Sequence, residues 1–304
     1  MNTSTQLKAL IRNIAKEKSV QAEIILRNFM LERLLERISL SSFRDKFILK
    51  GGMLIAAMVG IDTRSTMDMD ATIRGIPLSE AALAEAMKEI LACPVDDGVK
   101  MILKGFENIR DESEYPGIRV SIEAILDKTR QVMKVDITSG DKITPQAVEY
   151  SFKLLFENRS INILAYNLET VLAEKLETIL SRSTANTRMR DYYDVYILTT
   201  LRAQDINWSL FPQALKNTAE KRGSYSHLLE TGDDIMGEIE QSQVLANLWS
   251  RYKQKNSYVD DLTWRQVIES VKMLYIKAGF FDRRSYYGLF VRRYSWNIGY
   301  SKIN

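Results

Sequence analysis

Apolar residues recur at helical spacing near both ends of the chain and alternate with polar residues in the middle. Residues 5–16 and 19–38 carry apolar side chains every three or four positions, which predicts two amphipathic helices. An apolar run at 47–49, a glycine pair and a second apolar run at 53–59 predict a strand, a tight turn and a buried helix. Ser79 suits the N-cap of a further helix that ends near residue 91.

After residue 98, apolar and polar residues alternate every second position, and after about residue 160 the apolar residues recur at helical spacing. Segments 99–109, 117–126 and 131–138 are predicted strands, with a hairpin turn at 127–130. After about residue 160, helices are predicted from the N-cap Asn167 to Arg182 and over 187–202, 209–221, 231–255 and 262–278. The chain is therefore predicted to be an α+β protein, with a small mixed sheet and flanking helices over residues 1–160 and a helical domain over 161–304.

The amino-acid composition limits the kinds of functional site that are possible, but it says less about the fold. The 304 residues include one Cys and one His, which excludes an internal disulfide, a Cys/His zinc site and a His-based triad. Any metal would therefore be a hard cation on carboxylates, most simply Mg²⁺. No apolar stretch approaches membrane-spanning length and the N-terminus has no secretory h-region, so we expect a cytoplasmic protein with no membrane partner.

Two aspartates alternate with apolar residues in the segment 67–71. If this segment is a strand, Asp68 and Asp70 share one face, either as a solvated edge or as ligands of a cation between them. Asp136 adds a third acid on a later strand. Gly51 and Gly52 precede a helix, and such a turn lets the backbone approach a phosphate. In this order the residues indicate metal-assisted phosphoryl or nucleotidyl transfer.

Lys175 interrupts the apolar stripe of the predicted helix 168–182, and Arg182 lies seven residues later on the same face. The lysine stem could carry its ammonium to water. Alternatively, Asp191 and Asp194 of the next helix could form an ordered charge network with it, because unpaired buried charges are costly. Such a network could be structural, or it could place Lys175 on a triphosphate.

Seven short segments together resemble the AbiEii/AbiGii toxin family of nucleotidyltransferases, within the polymerase-beta-like superfamily. They are 50–52, 64–70, 135–137, 140–141, 175–182, 190–194 and 207–208. The resemblance covers about residues 20–275. It implies a nucleotidyltransferase sheet whose active site the helical C-terminal domain completes.

The resemblance implies roles for the matching residues. Gly51 and Gly52 would hold the phosphates of the NTP substrate. Asp68, Asp70 and Asp136 would bind catalytic Mg²⁺, and Asp136 could also orient or deprotonate the acceptor hydroxyl.

A second group would contact the triphosphate or complete the site. Lys175 would neutralise charge on the leaving pyrophosphate, and Asp191 would complete the second motif. Further nucleotide contacts are expected from Arg64, Ser65, Arg182, Arg190 and Asp194. Met53 departs from the family, which has a small hydroxyl residue after the glycine pair; Arg64, Ser65 or backbone N–H groups could substitute for that hydroxyl.

The function implied is that of a toxin in a toxin–antitoxin or abortive phage infection system, with a cognate antitoxin encoded nearby. It would transfer a nucleotide from an NTP to an acceptor, with the tRNA 3′ end as the leading candidate. A protein hydroxyl as acceptor, and a non-catalytic nucleotide-binding module, are the alternatives. Residues 280–304 mix basic and aromatic side chains, which suits single-stranded nucleic acid or packing onto the core.

Overall fold

A computed structural model describes residues 4–110 and 116–279. Seven strands within these ranges are β1 (Phe47–Lys50), β2 (Met69–Ile73), β3 (Lys100–Arg110), β4 (Pro116–Leu126), β5 (Thr129–Ser139), β6 (Val148–Lys153) and β7 (Ser160–Ala165). Ten α-helices within them are α1 (Ser4–Glu17), α2 (Ala22–Leu40), α3 (Gly51–Val59), α4 (Glu80–Ala92), α5 (Leu168–Arg182), α6 (Met189–Leu201), α7 (Phe211–Lys221), α8 (Tyr225–Gln241), α9 (Gln243–Lys255) and α10 (Trp264–Lys277). The predicted α+β class is confirmed.

The strands form one mixed sheet in the order β3-β4-β5-β2-β1-β7-β6. At its centre, β2 pairs antiparallel with β1 and parallel with β5, and β5 pairs antiparallel with β4. The register places Lys50 opposite Asp70, Asp70 opposite Asp136, and Asp136 opposite Arg119. Four charged residues therefore form one row across four neighbouring strands.

Helices bury the sheet and bring the C-terminal half onto it. Helix α2 packs against β5, β7 and α4, and β5 contributes alternating buried apolar residues such as Val135 and Ile137. Helix α5 packs against α6 and α7, and α6 in turn contacts α3. The short α3 thus lies between the sheet and the helical half, so residues from both halves can reach its N-terminus.

Two predicted N-caps are confirmed. The Asn167 side chain accepts a hydrogen bond from the Thr170 N–H at 2.9 Å, and the Ser79 hydroxyl accepts one from the Ala82 N–H at 3.3 Å. These bonds satisfy helix N–H groups that have no intrahelical partner, so α5 and α4 begin where the sequence indicates.

Three details of the predicted elements are wrong. Strands β6 and β7 were not predicted, because β6 is a largely exposed edge strand with little apolar alternation. The predicted helix 231–255 is two helices, since Ser242 is extended and its hydroxyl caps α9 at the Leu245 N–H. Asp68 precedes β2 instead of lying within it. The domain boundary after residue 160 stays a prediction, and it falls within β7, directly after the first residue of that strand.

No helix in the described ranges is long and apolar enough to cross a membrane. The basic aromatic segment 280–304 lies outside those ranges, so its two interpretations stay open.

Candidate active site

The glycine pair forms the junction between β1 and α3 and lies directly beside Asp70. Gly51 has φ +66°, and a Cβ added there would overlap the Asp70 carboxylate. A Cβ on Gly52 would lie 2.8 Å from the Thr66 hydroxyl oxygen. The Gly52 N–H donates to the Asp70 carboxylate at 3.4 Å. Only glycine allows this close approach, and the N-terminus of α3 consequently faces a carboxylate.

The row of charges across the sheet sets the electrostatics of the site. Burial raises the pKa of Asp70, and the neighbouring Asp136 raises it further, while Lys50 and Lys175 oppose the change. Asp136 accepts two hydrogen bonds from Arg119, at 2.7 and 2.8 Å. Two carboxylates in register on adjacent strands therefore repel each other, with a cation at each end of the row.

The donor set suits a hard cation, although it is not a closed metal site. No three acidic, His or Cys side chains in the described parts of the chain are arranged to hold a metal ion. Asp70 and Asp136 offer carboxylate oxygens whose mutual repulsion a divalent cation would relieve. Asp68 is exposed and lines the same cleft. The three-carboxylate magnesium site stays a prediction.

A buried charge network joins the loop before β2 to α5 and α6. Arg64 donates through Nε to Asp194 at 2.6 Å, and both side chains are almost fully buried. The Lys175 ammonium lies 2.6 Å from an Asp191 oxygen and 3.0 Å from an Asp194 oxygen. The charge-network interpretation of Lys175 is confirmed. Substitution of Arg64 for the missing hydroxyl stays a prediction, and its guanidinium is bonded to Asp194.

These interactions fix the charge states of the network. Burial alone would lower the pKa of Lys175, but Asp191 and Asp194 raise it above its ordinary value. Burial alone would raise the pKa of Asp194, but Arg64 and Lys175 lower it. Lys175 and Asp194 are therefore both ionised at neutral pH. Since the Lys175 side chain keeps 16% exposure, its ammonium remains at the cleft wall.

One cleft of about 540 Å³ collects most of the predicted residues. Its lining includes Gly51, Gly52, Arg64, Asp68, Asp70, Asp136, Lys175, Arg190 and Asp191. Three predicted residues are not in the lining. Asp194 lies fully buried behind it, Ser65 uses its carbonyl to accept from Arg64, and Arg182 lies on α5 beyond the cleft residues. Met53 is 2% exposed in the core, so the residue after the glycine pair does not reach the cleft.

Asp141 anchors a second cluster, to which the sequence assigned no role. It lies 2.6 Å from the Lys50 ammonium and accepts hydrogen bonds from the Tyr166 and Thr138 hydroxyls at 2.7 and 2.8 Å. Burial would raise the pKa of Asp141, but these partners, Lys50 foremost, lower it to about 2. The sequence signal that could have identified Asp141 was its position in the family-like segment 140–141, just after β5. Nothing in the sequence indicated Arg119, because its contact depends on strand register.

The model of the nucleotidyl transferase AbiEii toxin family, of type IV toxin–antitoxin systems, matches residues 33–270. The chain belongs to the AbiEii family. This is a family of nucleotidyltransferase toxins of type IV toxin–antitoxin systems, so membership implies an NTP as substrate and an antitoxin as partner. The suspected family is confirmed, and the matched segment contains every predicted site residue.

Two solved structures resemble this AbiEii-family chain. JHP933 from Helicobacter pylori has 13% sequence identity and a TM-score of 0.46, with 85% of this chain and 91% of that chain covered. A candidate nucleotidyltransferase from H. pylori has 14% identity and a TM-score of 0.45, with coverages of 86% and 95%. Among curated proteins, none matches this chain.

Proposed function

We propose that this AbiEii-family toxin transfers a nucleotide from an NTP to the 3′ end of tRNA in a Mg²⁺-dependent reaction. The observation that carries the proposal is the register of Asp70 and Asp136 beside the N-terminus of α3 in one cleft. A helix N-terminus binds phosphate and adjacent carboxylates bind a hard cation, and nucleotidyl transfer requires both functions together.

Each wall of the cleft has a distinct task in this proposal. On the sheet side, Gly51 and Gly52 offer backbone N–H groups to the phosphates, and Asp70 and Asp136 offer oxygens to the cation. On the helical side, the Lys175 ammonium faces the charge that develops on the leaving pyrophosphate. Bound Mg²⁺ would polarise the α-phosphate and lower the pKa of the attacking hydroxyl.

Asp136 has the best position to orient the acceptor hydroxyl, since Arg119 holds its carboxylate by two bonds. The acceptor would approach past the exposed Arg188 and Arg190, which line the cleft at the start of α6. Two arginines at the entrance suit a phosphate backbone, which supports RNA over a protein hydroxyl as acceptor. This entrance would be where the tRNA end enters.

The transfer assay uses the whole chain, each of the four α-labelled NTPs, Mg²⁺ and total tRNA. We expect label in RNA that nuclease removes, and loss of labelling with EDTA or with Asp70→Asn. Asp96→Asn is the matched control, because Asp96 is an exposed acid outside the cleft. This control should label RNA as the parent does.

Two outcomes would overturn the proposal. Label in a protein band that resists nuclease would identify a protein hydroxyl as the acceptor. No label with any NTP, despite measurable NTP binding, would leave a nucleotide-binding module without catalysis.

A further inference from the structure

Tyr252 of α9 is an aromatic side chain in the cleft wall for which neither the motifs nor the proposed chemistry provides a role. Among the cleft-lining residues that the structure describes, it is the one aromatic residue. The others are mostly charged, with apolar exceptions such as Ile109, Val171 and Met189. A half-buried tyrosine ring that lines a charged phosphate cleft suits a flat apolar group, and an NTP carries one in its base.

The surroundings hold the Tyr252 ring in a fixed position. Its ring lies 5.5 Å from that of Trp249 at an interplanar angle of 31°, and Trp249 is fully buried. The Tyr252 hydroxyl is 2.6 Å from the Tyr258 hydroxyl. Tyr258 packs against Tyr193, whose hydroxyl donates to the Thr63 carbonyl at 2.6 Å. A ring held in this way loses little conformational entropy when a ligand stacks on it.

The position of Tyr252 favours the base of the NTP over a base of the acceptor. Arg64 is close enough to act electrostatically on the Tyr252 hydroxyl. Arg64 also lies near Gly52, since its guanidinium is 3.2 Å from where a Gly52 Cβ would be. Tyr252 thus lies on the side of the cleft with the proposed triphosphate residues. The acceptor is assigned to the side of Asp136 and Arg119.

We propose that Tyr252 is a stacking platform for the nucleobase of the bound NTP. The proposal rests on the proposed function, because it assigns a further contact to the same substrate. Stacking tolerates every base, since each has a π-face. Tyr252 should therefore add affinity for all four NTPs and should not select among them.

Equilibrium binding to the full-length protein tests this with two probes, each NTP and inorganic tripolyphosphate, in the presence of Mg²⁺. Tyr252→Leu keeps an apolar side chain but removes the ring, and Tyr252→Phe keeps the ring. Leu should weaken NTP binding about 30-fold, which corresponds to the middle of the range of about 1–3 kcal/mol for one stacked base. Phe should bind NTP within about threefold of the parent. Tripolyphosphate, which has no base, should bind all three proteins equally.

Tyr258→Phe is the matched control, because it removes the hydroxyl partner of Tyr252 without changing the cleft lining. It should bind NTP within about threefold of the parent, as Tyr252→Phe should, because both variants lose the same hydrogen bond and keep the ring at position 252. Unchanged NTP affinity in Tyr252→Leu would overturn the inference, and so would an equal loss for tripolyphosphate, which would indicate a structural role. Failure of the parent protein to bind either probe would instead overturn the proposed function, and the inference with it.

Discussion

Asp194 compensates two cations, the buried Arg64 and the mostly buried Lys175. Its carboxylate accepts from Arg64 at 2.6 Å and lies 3.0 Å from the Lys175 ammonium, and its own side chain is fully buried. Asp194→Asn keeps the shape and removes the charge. Lys175 keeps Asp191 at 2.6 Å, so most of the loss falls on Arg64.

The expected loss follows from the cost of an uncompensated buried charge. Removing one partner of a buried pair costs roughly 3–5 kcal/mol, and the remaining Lys175–Asp191 pair places this variant near the lower limit, at about 3 kcal/mol. Urea unfolding at pH 7, followed by far-UV circular dichroism, measures the difference in the free energy of unfolding. The reference variant is Asp68→Asn, because Asp68 is exposed.

Asp68→Asn should change the free energy of unfolding by no more than about 0.5 kcal/mol, as surface substitutions usually do. It should nevertheless reduce nucleotide transfer, because Asp68 is a predicted metal ligand. The unfolding and transfer measurements would then show that Asp194 has a structural role and that Asp68 has a chemical one. A loss in Asp194→Asn that lies within 1 kcal/mol of the Asp68→Asn value would refute the reasoning.

The pH dependence of this difference has a definite sign. Burial would raise the pKa of Asp194, but Arg64 and Lys175 lower it below the ordinary value of 3.8. A depressed folded-state pKa stabilises the protein above the unfolded-state pKa, and that stabilisation is lost as the pH falls through the folded-state pKa. The difference between the parent and Asp194→Asn should therefore be constant from pH 6 to 8 and should shrink below about pH 4.

Two further predictions concern the turn and the core. Gly51→Ala should cost more than about 2 kcal/mol and abolish transfer, because its Cβ would overlap Asp70 in addition to the strain at φ +66°. Gly75 is the control, because it has a similar φ of +69° but no atom within 4 Å of an added Cβ. Gly75→Ala should therefore lower the free energy of unfolding in urea by only about 1 kcal/mol. Equal losses in the two variants would contradict the steric argument. Burial raises the pKa of Glu32 to about 8, so the folded state retains a proton that the unfolded state releases, and stability should fall from pH 5 to pH 8. Glu32→Gln removes this titration, so the free energy of unfolding of the variant should change less between pH 5 and pH 8, as measured by urea unfolding. If the parent and the variant show the same dependence on pH, Glu32 is not the cause of the fall in stability.

Local patterns were sufficient for the elements that carry the site. The glycine pair, the alternating acids and the caps Ser79 and Asn167 depend on neighbours within a few residues, so the strand–turn–helix unit and the starts of α4 and α5 were predictable. Strands β6 and β7 were not, because β6 is an edge strand with few apolar positions and β7 joins the sheet through the distant strand β1.

What the sequence by itself determined was the inventory of chemistry: carboxylates in place of Cys/His ligands, a glycine turn before a helix, and a lysine within an apolar stripe. Only the tertiary structure decided which of these groups meet. Strand register placed Asp70 beside Asp136 and Arg119 on the far side of Asp136. Helix packing assigned Arg64 to Asp194 and brought Tyr252 into the cleft. The physical reason is that strand register and helix packing are long-range contacts, and the same local spacing is compatible with several partners until the core closes.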